Sequence, residues 1–200
     1  AGQVSLGTTI ANATSAKNLI LIGDPMQLSQ PMRAKHEGYA RMSSLEFILE
    51  NEDTISADRG IFLNITRRLN NKICNFISSS FYDSRLTSDP ITITRSVNLK
   101  LDPIKNEGLF YVPIEHSGCS QRSDEEADLV EKIYNKIINK DFKVGKTTGK
   151  ISAKDIMVVA PYNAQANNIR ERLKKKFKDK VRVGTIDLFQ GQEAKVVLIS

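Results

Sequence analysis

"IMVVAPYNAQANNIRERL", Ile156 to Leu173, is the stretch on which the fold turns. Its first five residues are apolar and rich in branched side chains, with no polar alternation. Such a run suits a strand buried on both faces of a sheet. Pro161 breaks it, because proline offers no N–H to a ladder. Ala166, Ile169, Leu173 and Phe177 then recur at helical spacing, so a helix is expected from about Asn163. A buried strand feeding directly into an amphipathic helix predicts an α/β layered fold.

The same grammar appears on either side. "LILI" at 19–22 and "VVLIS" at 196–200 are apolar runs of the buried-strand type. "IFLNI" (61–65) and "LFYVPI" (109–114) are expected to be further strands, and "VRV" (181–183) alternates as a strand nearer an edge does. Leu69, Ile73, Phe76, Ile77 and Phe81 form one helical stripe. Ser123 and Glu126 have the spacing of a capping box, opening a helix with a stripe of Ala127, Val130, Ile133, Tyr134 and Ile137. Strand, helix, strand order implies an open, mainly parallel sheet flanked by helices, with right-handed crossovers. "KVGKTTGK" (143–150) lacks the G-x-x-x-x-G-K-[ST] frame and follows no buried strand, so it reads as a solvated turn. The polar "NEDTISADRG" (51–60) is the best candidate for a break between domains.

Composition narrows the class. The chain has 200 residues, 40% of them hydrophobic, which supports one large domain or parts of two. No apolar run is long enough to span a bilayer, and no secretory signal is visible, so no membrane partner is expected. Cys74 and Cys119 show no metal-ligand spacing. A reduced, cytoplasmic chain follows, with a disulfide between them as the alternative. The formal charge of +6 favours an anionic partner such as nucleic acid or phosphate. The chain opens at Ala1 rather than Met and stops at Ser200, at the end of an apolar run, so a piece of a longer protein is expected.

Ligands of open α/β sheets bind beyond the carboxyl ends of strands. Three segments are expected at such ends. In Gly23-Asp24-Pro25-Met26-Gln27, Asp24 suits a metal-bound water or a turn cap, and Gln27 offers a donor and an acceptor to a water or phosphate oxygen. Taken alone, an ordinary Asp-Pro turn is the simpler account. In "APYNAQ" (160–165), the free amides of a helix start suit a phosphate and Tyr162 suits a nucleobase, against an Asn-capped connection as the plain reading. In "VGTIDLFQGQEAKVVLIS" (183–200), Thr185 suits a backbone phosphate and Glu193 a sugar hydroxyl, against a surface pair with Lys195. Arg67-Arg68 form a fourth candidate. Arginines beginning a helix oppose its dipole, which points to a phosphate or to a carboxylate elsewhere in the chain. The basic run "RERLKKKFKDKVR" (170–182) suits a solvated helix end and adds nonspecific affinity for a nucleic-acid backbone. His36 and His116 are isolated and receive no catalytic role.

Together these segments resemble superfamily 1 helicases, in the branch of the nonsense-mediated-decay RNA helicases and related DNA helicase-nucleases. "LILIGDPMQL" resembles motif III, "ITRRLNNKICNFISSSFYDSRL" motif IV and its helix, "VVAPYNAQANNIRERL" the next motif, and "VGTIDLFQGQEAKVVLIS" motif V. Leu69, Asn70 and Asn71 stand where that family commonly has Met, His and Pro. The context of "GIFLNITRR" and "SSLEFILE" is most similar to bacterial helicases fused to a RecB-like nuclease.

The resemblance implies a RecA-like P-loop NTPase fold, with residues 1–60 as the end of a first lobe and 61–200 as most of a second. It implies ATP with Mg²⁺ as cofactors and single-stranded DNA or RNA as partner, with 5′ to 3′ movement. It also implies a site shared among several residues. Asp24, Gln27 and Arg68 would serve catalysis, and Gln190, Glu193, Tyr162 and Gln165 would lie at the nucleotide. Thr185 and Pro161 would lie at the nucleic acid. The phosphate loop, the Asp-Glu pair that holds Mg²⁺ and the motif VI arginine would lie outside this segment, in the rest of lobe one and beyond Ser200. The rival expectation is a helicase-derived module that binds nucleic acid without catalysis.

Overall fold

The computed structural model describes residues 2–28, 37–50, 52–99 and 101–200. Ser29, Gln30 and Pro31, which follow the motif III segment, His36 and Asn51 lie outside them. The elements in order are α1 (Leu6–Ala13), α2 (Ser44–Leu49), β1 (Ile65–Thr66), α3 (Asn71–Phe81), β2 (Thr87–Ser88), α4 (Pro90–Ile93), β3 (Ser96–Val97), α5 (Asp124–Ile137), β4 (Asp141–Val144), β5 (Thr147–Lys150), β6 (Ile156–Val159), α6 (Asn163–Phe177), β7 (Arg182–Gly184) and β8 (Val196–Ile199). The chain groups into two compact units, 1–65 with 75–87, and 66–74 with 88–200.

The second unit holds the main core. Its parallel sheet has the order β7-β6-β8. β6 is central, with Ile156, Met157 and Val158 buried, as its unbroken apolar run requires. Val158 pairs with Val183 on one side and with Leu198 on the other. α5 buries Ala127, Val130, Tyr134 and Ile137, and α6 buries Ala166, Ile169 and Leu173. These are the stripes read from the sequence. Each large apolar side chain so buried contributes on the order of 1.5–3 kcal/mol. The Tyr134 and Phe177 rings meet at 5.0 Å where α5 packs on α6.

β3, β4 and β5 form a separate antiparallel sheet. The stretch expected to be a solvated turn is therefore largely a hairpin, with Val144 opposite Thr147. Gly145 lies in the turn at φ +60, a conformation glycine adopts without Cβ strain.

Several expected strands differ. Residues 19–22 and 109–114 carry no strand, and "IFLNI" contributes only its last residue, in β1. Ile20, Ile61 and Tyr111 are more than four-fifths exposed, at 84%, 88% and 86%. A strand needs a neighbouring ladder, and among the described residues none lies beside 19–22 or 109–114. β8 is a strand, but Val197 and Ile199 are exposed while Val196 and Leu198 face the core, so only one face is covered. β7 lies at the sheet edge, as its alternation suggested.

The α3 stripe is rotated from expectation. Cys74 and Ser78 are buried, whereas Phe76 and Phe81 are exposed. No disulfide joins Cys74 and Cys119. No helix among the described residues is long and apolar enough to cross a membrane.

Candidate functional site

In the second unit, Arg68 and Glu193 converge. Arg68 lies in the turn between β1 and α3, where its N–H donates to the Thr66 hydroxyl at 3.2 Å. Its carbonyl accepts from Arg95 Nη1 at 2.8 Å. α3 begins only at Asn71, and the Asn70 side chain accepts from the Lys72 N–H at 3.0 Å. The arginines thus precede the helix and its capping residue, which removes most of the expected conflict with the dipole. Arg67 Nε pairs with Asp89 at 3.4 Å. Arg68 Nε donates to Glu193 Oε2 at 3.3 Å, and Nη2 reaches the Gly191 carbonyl at 3.5 Å. Both side chains are more than half exposed, at 53% and 65%.

The loop bearing Glu193 is held from below. Gly184 ends β7, and Leu188 folds so closely over it that a Cβ there would collide with a Leu188 methyl. A tight turn over 187–189 follows, and Gly191 takes φ +75. Arg182 then grips the loop. Its Nη2 donates to Gln192 Oε1 at 2.8 Å, and its Nη1 donates to the Glu193 and Lys154 carbonyls at 3.2 and 2.9 Å. Gln192 Nε2 closes the turn on the Leu188 carbonyl at 3.0 Å. Lys195 pairs with the buried Asp155, not with Glu193. Burial alone would raise the Asp155 pKa, but Lys195 and Ser152 outweigh it and hold the carboxyl down at about 2.

The expected residues divide between two edges of this sheet. Pro161 and Tyr162 follow the carboxyl end of β6, and Thr185 follows that of β7, where Val159 and Gly184 are partners. All three are at least partly exposed. Glu193 instead lies at the amino edge, beside Lys154 and Arg182, because the chain must run back across the sheet to start β8 in parallel. The single rim expected from the sequence is thus two opposite edges. Gln190 is exposed in the crossing loop.

Gln165 is 4% exposed and engaged on both ends of its amide. Its Oε1 accepts from the Ser123 N–H at 2.9 Å, and its Nε2 donates to the Ser123 carbonyl and the Ser200 hydroxyl at 3.1 and 3.0 Å. This contact takes one half of the expected capping box. The Ser123 hydroxyl still caps Glu126 N–H, but the Glu126 carboxylate accepts from Ser200 at 2.7 Å and lies 3.3 Å from His116. The N-cap of α6 is Tyr162, without a side-chain bond, rather than Asn163.

The first unit carries the other pair. Asp24 Oδ1 accepts from the Met26 N–H at 3.0 Å, the turn expected of Asp-Pro. Its Oδ2 accepts from Gln27 Nε2 at 2.9 Å and from the Tyr82 hydroxyl at 2.7 Å. Among the described residues Gln27 Oε1 meets no donor, and the side chain is exposed. Tyr82 was not singled out in the sequence. Arg182 was read only as the end of the basic run 170–182, because nothing in spacing shows a side chain that serves a loop through backbone carbonyls.

A family model described as AAA domain matches residues 41–200. The chain is 30% identical over 193 residues to the DNA polymerase alpha-associated DNA helicase A of Schizosaccharomyces pombe, an alignment covering 91% of this chain and 28% of that protein. It is 28% identical to the helicase sen1 of the same yeast, over 100% of this chain and 12% of that one. It is 27% identical to an uncharacterized ATP-dependent helicase of Methanocaldococcus jannaschii, over 92% of this chain and 28% of that one. The chain thus spans less than a third of each of these relatives.

Proposed function

This chain belongs to the AAA domain family and carries a superfamily 1 helicase-like domain of RecA-like α/β fold, and on that premise we propose that it is part of an ATP-dependent helicase or translocase acting on single-stranded DNA or RNA. The observation that carries the proposal is the convergence of Arg68 and Glu193, which come from two separate helicase-like motifs. An exposed ion pair of this kind is worth about 0–1 kcal/mol, so it does little for stability and is easily opened by a ligand.

The donor set fits a nucleoside triphosphate. Among the described residues, Arg68 Nη1 and Glu193 Oε1 remain without protein partners. Arg68 would hold the terminal phosphate, and Glu193, with Gln190 in the same loop, would accept from the ribose hydroxyls. Gln27, anchored by Asp24, would serve as a phosphate sensor. ATP bound with Mg²⁺ supplies the phosphoanhydride bond whose hydrolysis drives movement. Pro161, Tyr162 and Thr185, on the opposite edge of the sheet, would face the nucleic acid, Tyr162 by stacking on a base. Gln165 would act from within, by fixing the start of α5. Residues up to about 60 would close the first lobe and those from 61 onward would form most of the second. Changes in lobe closure would alter their hold on a strand.

The test is ATP hydrolysis and strand separation by the full-length protein. Hydrolysis stimulated by single strands, and lost in Arg68→Ala, is the expected result. Wild-type turnover in Arg68→Ala would overturn the assignment. Residues 1–200 by themselves should hydrolyse ATP negligibly.

A further inference from the structure

Gln27 and Tyr82 meet on one atom. Both donate to Asp24 Oδ2, at 2.9 and 2.7 Å. The Met26 N–H occupies the other oxygen at 3.0 Å, so the carboxylate is fixed from three directions. The tyrosine is itself held. Its ring lies 6.0 Å from that of Phe62, and the Arg85 guanidinium lies 4.7 Å over Phe62. Arg85 Nη1 donates to the Thr54 hydroxyl at 2.7 Å and the Ile55 carbonyl at 2.9 Å, and Thr54 donates to Asp83 at 2.6 Å.

An exposed glutamine on a half-buried but unanchored aspartate would sample many rotamers. A phenol on a packed ring removes that freedom from the aspartate and so from the amide. Burial, with the hydrogen bond to Asp24, raises the phenol pKa, so the hydroxyl stays a donor at neutral pH. The chain order adds a second point. Tyr82 directly follows the last residue of α3, and Arg68 precedes its first residue by three positions. Tyr82 and Arg68 thus flank the same helix in the chain.

The geometry points to Tyr82 as a positioning residue, whose hydroxyl fixes the Asp24 carboxylate that aims the Gln27 amide at the terminal phosphate of a bound nucleoside triphosphate. This inference rests on the proposed helicase function.

Full-length protein separates the two. Four variants are compared: Gln27→Ala, Tyr82→Phe, their combination, and Tyr111→Phe as a control on an exposed tyrosine. Turnover is measured with ATP and an oligothymidylate or oligouridylate. Affinities for adenylyl imidodiphosphate and ADP are measured without turnover. Tyr82→Phe keeps the ring and its contact with Phe62, and thermal melting checks that the fold is retained. The expected result is a fall in turnover of about tenfold in Tyr82→Phe, as one charge-assisted hydrogen bond is lost. The preference for the triphosphate analogue over ADP should shrink in Gln27→Ala and in Tyr82→Phe, and the double variant should be no worse than Gln27→Ala. Tyr111→Phe should match wild type. If Gln27→Ala impairs turnover and discrimination while Tyr82→Phe does not, or if the two effects multiply, the positioning role is overturned and the helicase reading stands. If Gln27→Ala itself leaves both quantities at wild-type values, the phosphate-sensing assignment beneath the inference fails, and the inference with it.

Discussion

Arg68 Nε lies 3.3 Å from Glu193 Oε2, although 125 positions separate the two residues in the chain. The pair forms because the turn before α3 and the loop before β8 are each fixed independently, the first through Thr66 and Arg95, the second through Arg182. Neither anchor depends on the ion pair, so the geometry survives when the pair opens.

Glu193→Ala should therefore separate stability from function. The unfolding free energy should change by less than about 1 kcal/mol, as for other exposed pairs. Affinity of the full-length protein for ATP should fall by about tenfold, the order expected for one lost hydrogen bond to a charged group. The loss should be smaller for a nucleotide lacking the ribose hydroxyls, measured by equilibrium titration. An equal loss for both nucleotides would show that Glu193 does not meet the sugar.

Gln165→Leu should act on the fold instead. It leaves the Ser123 N–H and carbonyl and the Ser200 hydroxyl without the amide that links them. The carbonyl and the hydroxyl keep Asn168 and Glu126, but the Ser123 N–H is left uncompensated, at a cost of about 1–3 kcal/mol. Urea unfolding monitored by circular dichroism should show that loss, with the midpoint shifted and the slope unchanged.

The contrast between these residues shows what periodicity can and cannot reach. Ala127, Val130, Tyr134 and Ile137 were legible because a helix buries one stripe whatever lies opposite. Residues 19–22 and 109–114 were not, because an apolar run records a readiness to pair and not the presence of a partner strand. Arg68 and Glu193 were legible as residue types in motifs. Their contact was not, since it depends on how far a crossing loop carries Glu193 from the edge that holds Thr185. Gln165 is placed at the nucleotide only by resemblance, and its bonds to Ser123 and Ser200 were not legible, because they depend on how α6 meets the start of α5.

Asp155 should make stability depend on acid. Its carboxyl, ordinarily near 3.8, is held at about 2 in the fold by Lys195 and Ser152 against the opposing effect of burial. The unfolded chain therefore takes up the proton first as pH falls. The stabilisation is complete above about 4 and is lost progressively as pH falls through about 2. Asp155→Asn should be destabilised at pH 7 by about 1–3 kcal/mol, the usual cost when a buried, hydrogen-bonded charged acceptor is lost. The difference from wild type should shrink at acid pH, as measured by denaturant midpoints across the range. A difference independent of pH would assign the loss to packing.

Tyr134 gives the opposite sign. It is fully buried between α5 and α6, and its hydroxyl finds no hydrogen-bond partner among the described residues. Burial pushes its phenol up to about 12. A hydroxyl taken from water without compensation costs roughly 1–3 kcal/mol, whereas the ring packing against Phe177 is indifferent to it. Tyr134→Phe should therefore leave stability unchanged or raise it, by up to about 1 kcal/mol once relaxation is allowed for. The melting temperature of the variant decides the point. A clear decrease would mean that the hydroxyl has a partner in solution, an ordered water or a polar group, and that the core between the two helices is wetter than its side chains imply.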